Sequence, residues 1–187
     1  FSEQMEIYDW GCGQGTASVC LLDFLRSKRI TPNIKQFCMV EPSSEAVKRA
    51  TQVIECFNSN YTINSITKDF DHLTPEDFKT SDVKKVHLLS NILDVETFNL
   101  AQFIHLFQQL FGGDNYFICV GPFYSNNRRV DEFVAATAPD TIYATMNKES
   151  GAWQGDWTIS MRIFLKHFDR IEIVENIRKR IENSHKK

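Results

Sequence analysis

Residues 6–18 read EIYDWGCGQGTAS, and the fold turns on how that stretch is taken. A short apolar and aromatic run ends in Asp9, and glycines follow at positions 11, 13 and 15. Alternate glycines weaken both helix and strand, because each costs backbone entropy and packs no side chain. They suit a loop whose backbone takes positive φ and lets another group approach without meeting a Cβ. A strand leading in and a helix leading out put such a loop at the carboxyl end of a parallel strand. Ligands of open α/β sheets sit there, near the reversal of strand order, and face the free N–H groups of the helix. Three alternate glycines therefore point to a ligand loop rather than an ordinary turn.

Outward from this loop, residues 5–8 predict a strand and residues 16–27 a helix. Ala17, Cys20, Leu21, Phe24 and Leu25 are spaced as that helix's apolar face. KQFCMVEP supplies a second strand ending at Glu41, and Ser43 or Ser44 can cap the next helix. That helix has Ala46, Val47, Ala50, Val53, Ile54 and Phe57 on one side. YTINSITKDF alternates as a third strand, and KKVHLLSNILD holds a fourth, apolar enough to be covered on both faces. ETFNLAQFIHLFQQLF is the clearest helix, with a stripe of Leu100, Phe103, Ile104, Phe107, Leu110 and Phe111 that stops at Gly112 and Gly113. NYFICVGPF is a fifth strand and residues 129–138 a helix. TIYATMN and TISMRIFLKHF then read as two strands with no helix between them. The expected fold is α/β, a three-layer, doubly wound, mostly parallel sheet closed by an antiparallel C-terminal hairpin.

The chain of 187 residues has the length of one domain and needs neither disulfides nor metal to hold a core. Its five cysteines show no CxxC pair and fit a reducing, cytoplasmic setting. No apolar run approaches the ~20 residues of a membrane span, so no membrane partner is expected. The net charge of -3 argues against a strongly basic nucleic-acid surface. From residue 160 onward the balance is +4, with residues 170–187 a basic tail that reads as a solvated face. A start at Phe1, so close to the first strand, is expected of a single domain (residues 1–187) that lacks its N-terminal part or belongs to a longer protein.

The dinucleotide fingerprint G-x-G-x-x-G would need glycine where Thr16 stands. The pattern present is D-x-G-x-G-x-G, from Asp9 to Gly15. With it the chain resembles the class I S-adenosylmethionine-dependent methyltransferases, whose first motif has this form directly after the first strand. The resemblance runs from Met5 to about Phe168, the hairpin included, although a helix that often precedes the first strand in that family is missing. It implies a Rossmann-like methyltransferase fold with S-adenosylmethionine held by Asp9, Gly11, Cys12, Gly13 and Gly15 of the loop. It further implies Glu41, with Pro42, at the ribose hydroxyls, since a carboxylate offers two acceptor oxygens to two neighbouring hydroxyls. The resemblance also implies Asp69 and Phe70 near the adenine, with Asp71 competing for the place of Asp69. By the same resemblance, Ser90 and Asn91 are expected to face the transferable methyl group.

The stretch SNILD after the fourth strand lacks the two prolines and aromatic of the enzymes that methylate nucleobase amines. No Cys-Pro stands there either, so the covalent pyrimidine route has no candidate. A sulfonium donor needs mainly alignment and exclusion of water, so no catalytic residue is named. The histidines are scattered, His87 and His105 read as structural, and no metal is expected. Tyr124, Asn126, Arg128 and Arg129 after the fifth strand, and Trp153 and Trp157 in the glycine loop SGAWQGDW, either read the acceptor or close the surface. The acceptor stays open among small molecule, protein and RNA. Two readings of function stand: methyl transfer, or a methyltransferase-like module that binds cofactor or a partner without turnover. Thr16 disfavours a third, a nicotinamide-dependent oxidoreductase.

Overall fold

A computed structural model describes residues 3–122, 128–139, 144–148 and 159–168. Within them lie seven strands, β1 (Gln4–Trp10), β2 (Asn33–Val40), β3 (Thr62–Ile66), β4 (Lys84–Ser90), β5 (Gly113–Pro122), β6 (Ala144–Lys148) and β7 (Ile159–Phe168). The helices are α1 (Thr16–Ser27), α2 (Ser44–Glu55), α3 (Leu100–Leu110) and α4 (Arg128–Thr137). All strands form one sheet in the order β3-β2-β1-β4-β5-β7-β6. The first five run parallel, and β7 is antiparallel to both β5 and β6. The expected fold is therefore present, and β7 rather than β6 joins the terminal hairpin to the parallel strands. Strand order reverses between β1 and β4, which places a crevice at their carboxyl ends.

Alternation along the strands divides the core in two. Ile7, Phe37, Met39 and Leu88 meet Leu22 of α1 and Val47, Ala50 and Ile54 of α2. Tyr8, Trp10, Cys38, Val40, Leu89 and Phe117 meet α3 and α4 through Phe103, Phe107, Val130 and Phe133. That second face gathers most of the aromatic rings. Trp10 lies within 4.8 Å of Phe107 and 5.2 Å of Phe103, ring centre to ring centre. Caps fall where short polar residues precede helical runs: Ser43 Oγ accepts from Ala46 N–H, and Asn99 Oδ1 from Gln102 N–H. Two 3-10 turns, Phe70–His72 and Pro75–Asp77, stand on the path from β3 to β4, with no longer helix between them.

One buried polar network crosses the aromatic half. Trp10 Nε1–H donates to His87 Nδ1 at 3.2 Å, and the other ring nitrogen of His87 lies 2.9 Å from Asn115 Oδ1. An indole N–H can only donate, so Nδ1 is the acceptor and the single ring proton sits on Nε2, donating to Asn115. Asn115 Nδ2 in turn donates to the Gly113 carbonyl at 2.7 Å. Full burial pushes the His87 imidazole down to about 3 from 6.5. A second proton would also set two N–H groups against each other at Trp10.

The sequence-based face of α1 differs from the observed one. Its buried residues are Ser18 and Leu22, while Cys20 is exposed and Phe24 is 55% exposed. Contacts at the start of the helix set this rotation.

Candidate functional site

The loop from β1 to α1 is held from below. Asp9 is only 1% exposed, and its Oδ2 accepts from Ser18 Oγ–H at 2.6 Å and Ser18 N–H at 3.2 Å. The carboxylate thereby ties the first turn of α1 to the end of β1. Burial pushes the Asp9 carboxyl up to about 6 from 3.8, although the two bonds from Ser18 pull it down. A folded value above the unfolded one means that protonation favours the folded state. Its contribution is full below about pH 4 and lost as pH rises through 6, roughly 3 kcal/mol in all. Asp9→Asn keeps an acceptor for Ser18 and removes the titration. Denaturant unfolding should find the variant at least as stable as the wild type at pH 7.5, with that advantage gone by pH 4. An unchanged difference across that range would refute the assignment.

Gly15, at φ +83, precedes α1, and a Cβ there would stand 3.0 Å from Ala50 Cβ and 3.1 Å from Ala50 Cα. Its bareness lets α1 close onto α2. Gly13 differs: φ is +50, and no atom lies within 4 Å of where its Cβ would be. Its N–H donates to Glu41 Oε2 at 3.2 Å, while Glu41 Oε1 accepts from Ser43 N–H at 3.1 Å. Each oxygen of Glu41 keeps a lone pair for another donor. Cys12 is buried, its N–H donates to the Val40 carbonyl at 3.0 Å, and burial pushes its thiol up.

A cleft of about 550 Å³ opens at the carboxyl ends of the first four strands. Gly11 lines it after β1, and Glu41 and Pro42 after β2. Asp69, Phe70, Asp71 and His72 line it after β3. Asn91, Ile92, Val95, Thr97 and Phe98 do so after β4. Seven residues singled out from the sequence thus converge here: Gly11, Glu41, Pro42, Asp69, Phe70, Asn91 and Asp71, the rival of Asp69. Asp9, Cys12, Gly13, Gly15 and Ser90 are not among the lining residues; the first four shape the loop, and Ser90 ends β4. Asn91 has φ +54 and donates its N–H to the Val120 carbonyl at 2.7 Å, which turns the chain out of the sheet toward the cleft.

The two acids that competed for one role have separate partners. Asp71 Oδ1 accepts from Asn99 N–H at 2.8 Å, anchoring the start of α3, whereas Asp69 Oδ1 lies 2.5 Å from His72 Nδ1. Phe70 is both wall and core, with its ring 4.9 Å from those of Phe98 and Phe103. Three carboxylates and one imidazole line the cleft, with no lysine or arginine among the described residues. Sequence reading did not single out Ile92, Val95, Thr97 or Phe98; it takes Thr97 and Phe98 into the helix ETFNLAQFIHLFQQLF, which in fact starts only at Leu100, and the run DFDH could have flagged His72.

Arg128 is 85% exposed on its side chain and pairs with Glu132. Arg129 turns inward: Nε donates to the Leu93 carbonyl at 3.0 Å and Nη2 to the Phe98 carbonyl at 3.1 Å. Tyr124, Asn126, Trp153, Trp157 and the basic tail 170–187 lie outside the described residues. Among the described residues no His, Cys, Asp and Glu side chains gather so as to hold a metal ion, and no helix is long and apolar enough to cross a membrane.

No protein-family model matches the chain, and comparison with curated proteins found no match. Solved structures do match. A SAM-dependent methyltransferase from Methanosarcina mazei is 16% identical, with 91% of this chain and 95% of that one covered and a TM-score of 0.54. An rRNA methylase from Streptococcus thermophilus is 11% identical, covering 89% of each chain at a TM-score of 0.54. Precorrin-6y C5,15-methyltransferase from Geobacter metallireducens is 10% identical, covering 88% of this chain and 80% of that one at 0.53.

Proposed function

From a chain with the Rossmann-like fold of the class I S-adenosylmethionine-dependent methyltransferases, we propose that the cleft binds S-adenosylmethionine and serves methyl transfer to an acceptor not yet identified. The observation that carries this reading is Glu41, which lines the cleft after β2 and whose carboxylate accepts from the Gly13 N–H of the glycine loop after β1. Each of its oxygens has capacity left for a ribose hydroxyl. Pro42, Phe70, Ile92 and Phe98 offer apolar surface to a planar base. The surplus of carboxylates suits a cation and opposes the polyphosphates of nicotinamide or adenine nucleotides. Open space beside Gly13 admits a ligand close to the backbone.

Bound there, S-adenosylmethionine supplies a methyl group already activated by a cationic sulfur. The chain's own contribution is to hold, align and exclude water. Asn91, in its left-handed turn, and Ile92 are placed after β4 to border the transfer path. An acceptor that arrives protonated must also lose its proton to a nearby base or to water.

Calorimetry should find S-adenosylmethionine bound in the micromolar range, about -8 kcal/mol. Glu41→Ala should weaken it by about 1–3 kcal/mol, because charge-assisted hydrogen bonds are lost. An unchanged affinity in that variant removes Glu41 from the ribose. A labelled-methyl screen of cell extract then separates transfer from binding alone. Persistent binding with no labelled product would leave the non-catalytic module as the better reading.

A further inference from the structure

We infer that Arg129 is a positioning residue that orders the far wall of the cleft by gripping both ends of an irregular segment. Residues 91–99 between β4 and α3 form neither helix nor strand, yet five of them line the cleft. Such a stretch has few backbone partners of its own; Val95 N–H to the Ile92 carbonyl, at 3.2 Å, is one. Its shape must be imposed from outside. The guanidinium of Arg129, in the first turn of α4, reaches the Leu93 carbonyl through Nε and the Phe98 carbonyl through Nη2. Those two acceptors bracket residues 94–97, and Val95 and Thr97 within the bracket are cleft residues.

The same guanidinium lies over the Phe98 ring at 4.9 Å, and Phe98 packs on Phe70 at 4.9 Å. A continuous stack therefore runs from Arg129 to the two aromatic walls of the cleft. The planar fork of arginine can donate to two carbonyls and lie flat on a ring at once; a lysine ammonium, a point charge, cannot do all three. Arg128, its neighbour, faces solvent and serves as a built-in control. The contacts of Arg129 span 31 and 36 residues, so they tie α4 to the β4 loop rather than stabilise α4 itself.

The ligand part of this proposal rests on the methyltransferase reading; the ordering of the wall does not. The test compares wild type with Arg129→Ala, Arg129→Lys and Arg128→Ala. Amide hydrogen exchange is measured on the ligand-free proteins, and calorimetry uses S-adenosylmethionine and its demethylated product. In Arg129→Ala, exchange should rise across 92–99 while β1, β4 and residues 130–137 stay protected. Affinity for both compounds should fall about tenfold or more. Arg129→Lys should restore little of either, and Arg128→Ala should match the wild type.

Unchanged exchange over 92–99 overturns the proposal, as does full rescue by lysine or an equal effect from Arg128→Ala. Exchange that rises everywhere in both Arg129 variants also overturns it, since Arg129 would then serve the whole fold. If the wild type binds neither compound, the methyltransferase reading falls, and the exchange pattern alone decides whether Arg129 orders the wall.

Discussion

Replacing His87 with leucine should cost about 3–5 kcal/mol of folding stability at pH 7.5, and much less at pH 4. The volume changes little, so the loss comes from polar groups left behind. Trp10 Nε1–H and Asn115 Oδ1, both paired only through the imidazole in the network described, become buried and unsatisfied. Each such group costs about 1–3 kcal/mol. The imidazole also stacks on Phe117 at 4.6 Å and meets Phe111 edge-on at 4.8 Å, contacts that leucine replaces imperfectly.

The pH dependence follows from the folded value near 3 against 6.5 unfolded. A depressed value means that the unfolded chain takes up the proton first. The stability that His87 confers is whole above pH 6.5 and drains away as pH falls toward 3. The full swing is at most roughly 5 kcal/mol and works against the opposite, smaller trend of Asp9. Leucine does not titrate, so the gap between variant and wild type should narrow steadily on acidification. Urea unfolding at several pH values measures it, and a gap of constant size would show that proton linkage at His87 is absent.

The second large effect is expected at Gly15. A valine there must hold φ +83, which costs about 1–2 kcal/mol for a residue with a Cβ. It must also clear the backbone of Ala50, where even the first carbon would be 3.1 Å from Cα. Backbone cannot swing aside as a side-chain tip can, so α1 has to lift from α2, at a further cost of about 2–3 kcal/mol. Lifting α1 strains the Asp9–Ser18 tie and displaces the glycine loop, so loss of stability and loss of ligand binding should appear together. Gly13→Ala provides the contrast. It meets no neighbour and should lose only the backbone term, while its methyl group intrudes on the open side of the loop. Thermal unfolding of both variants, with calorimetry on whatever remains folded, distinguishes them. Equal destabilisation at 13 and 15 would mean that helix packing is not what Gly15 serves.

The glycine loop and the strand–helix rhythm were legible because each depends on residues close in sequence. Helix 16–27 falls at its predicted bounds, and Glu41 stands directly after β2 as read. What could not be read depends on partners far along the chain. The buried side of α1 includes Ser18, which apolar periodicity takes for a surface residue; its reason is Asp9, nine positions earlier. Phe24, counted toward the core, is left outside by the rotation that Gly15 and Ala50 impose. Asp9 reads as a ligand contact from its place in the motif, whereas its carboxylate is turned beneath the loop toward Ser18. Arg129 reads from the sequence as a cation that either meets the acceptor or closes the surface; its acceptors are main-chain carbonyls more than thirty residues away, and a carbonyl has no letter in the sequence. His87 reads as structural from its place in a strand and is buried in a polar network, but its partners Trp10 and Asn115 lie too far along the chain for the sequence to name.

The cleft is drawn from turns that follow four different strands and range from residue 11 to residue 98. No early, partly assembled form of the chain can therefore possess it, because β1 and β4 become neighbours only after the chain between them has folded or been bypassed. A molecule that needs all four turns recognises only a chain in which β1 to β4 are already aligned. Such a molecule stabilises the folded chain by mass action, and the gain appears as slower disassembly rather than faster assembly.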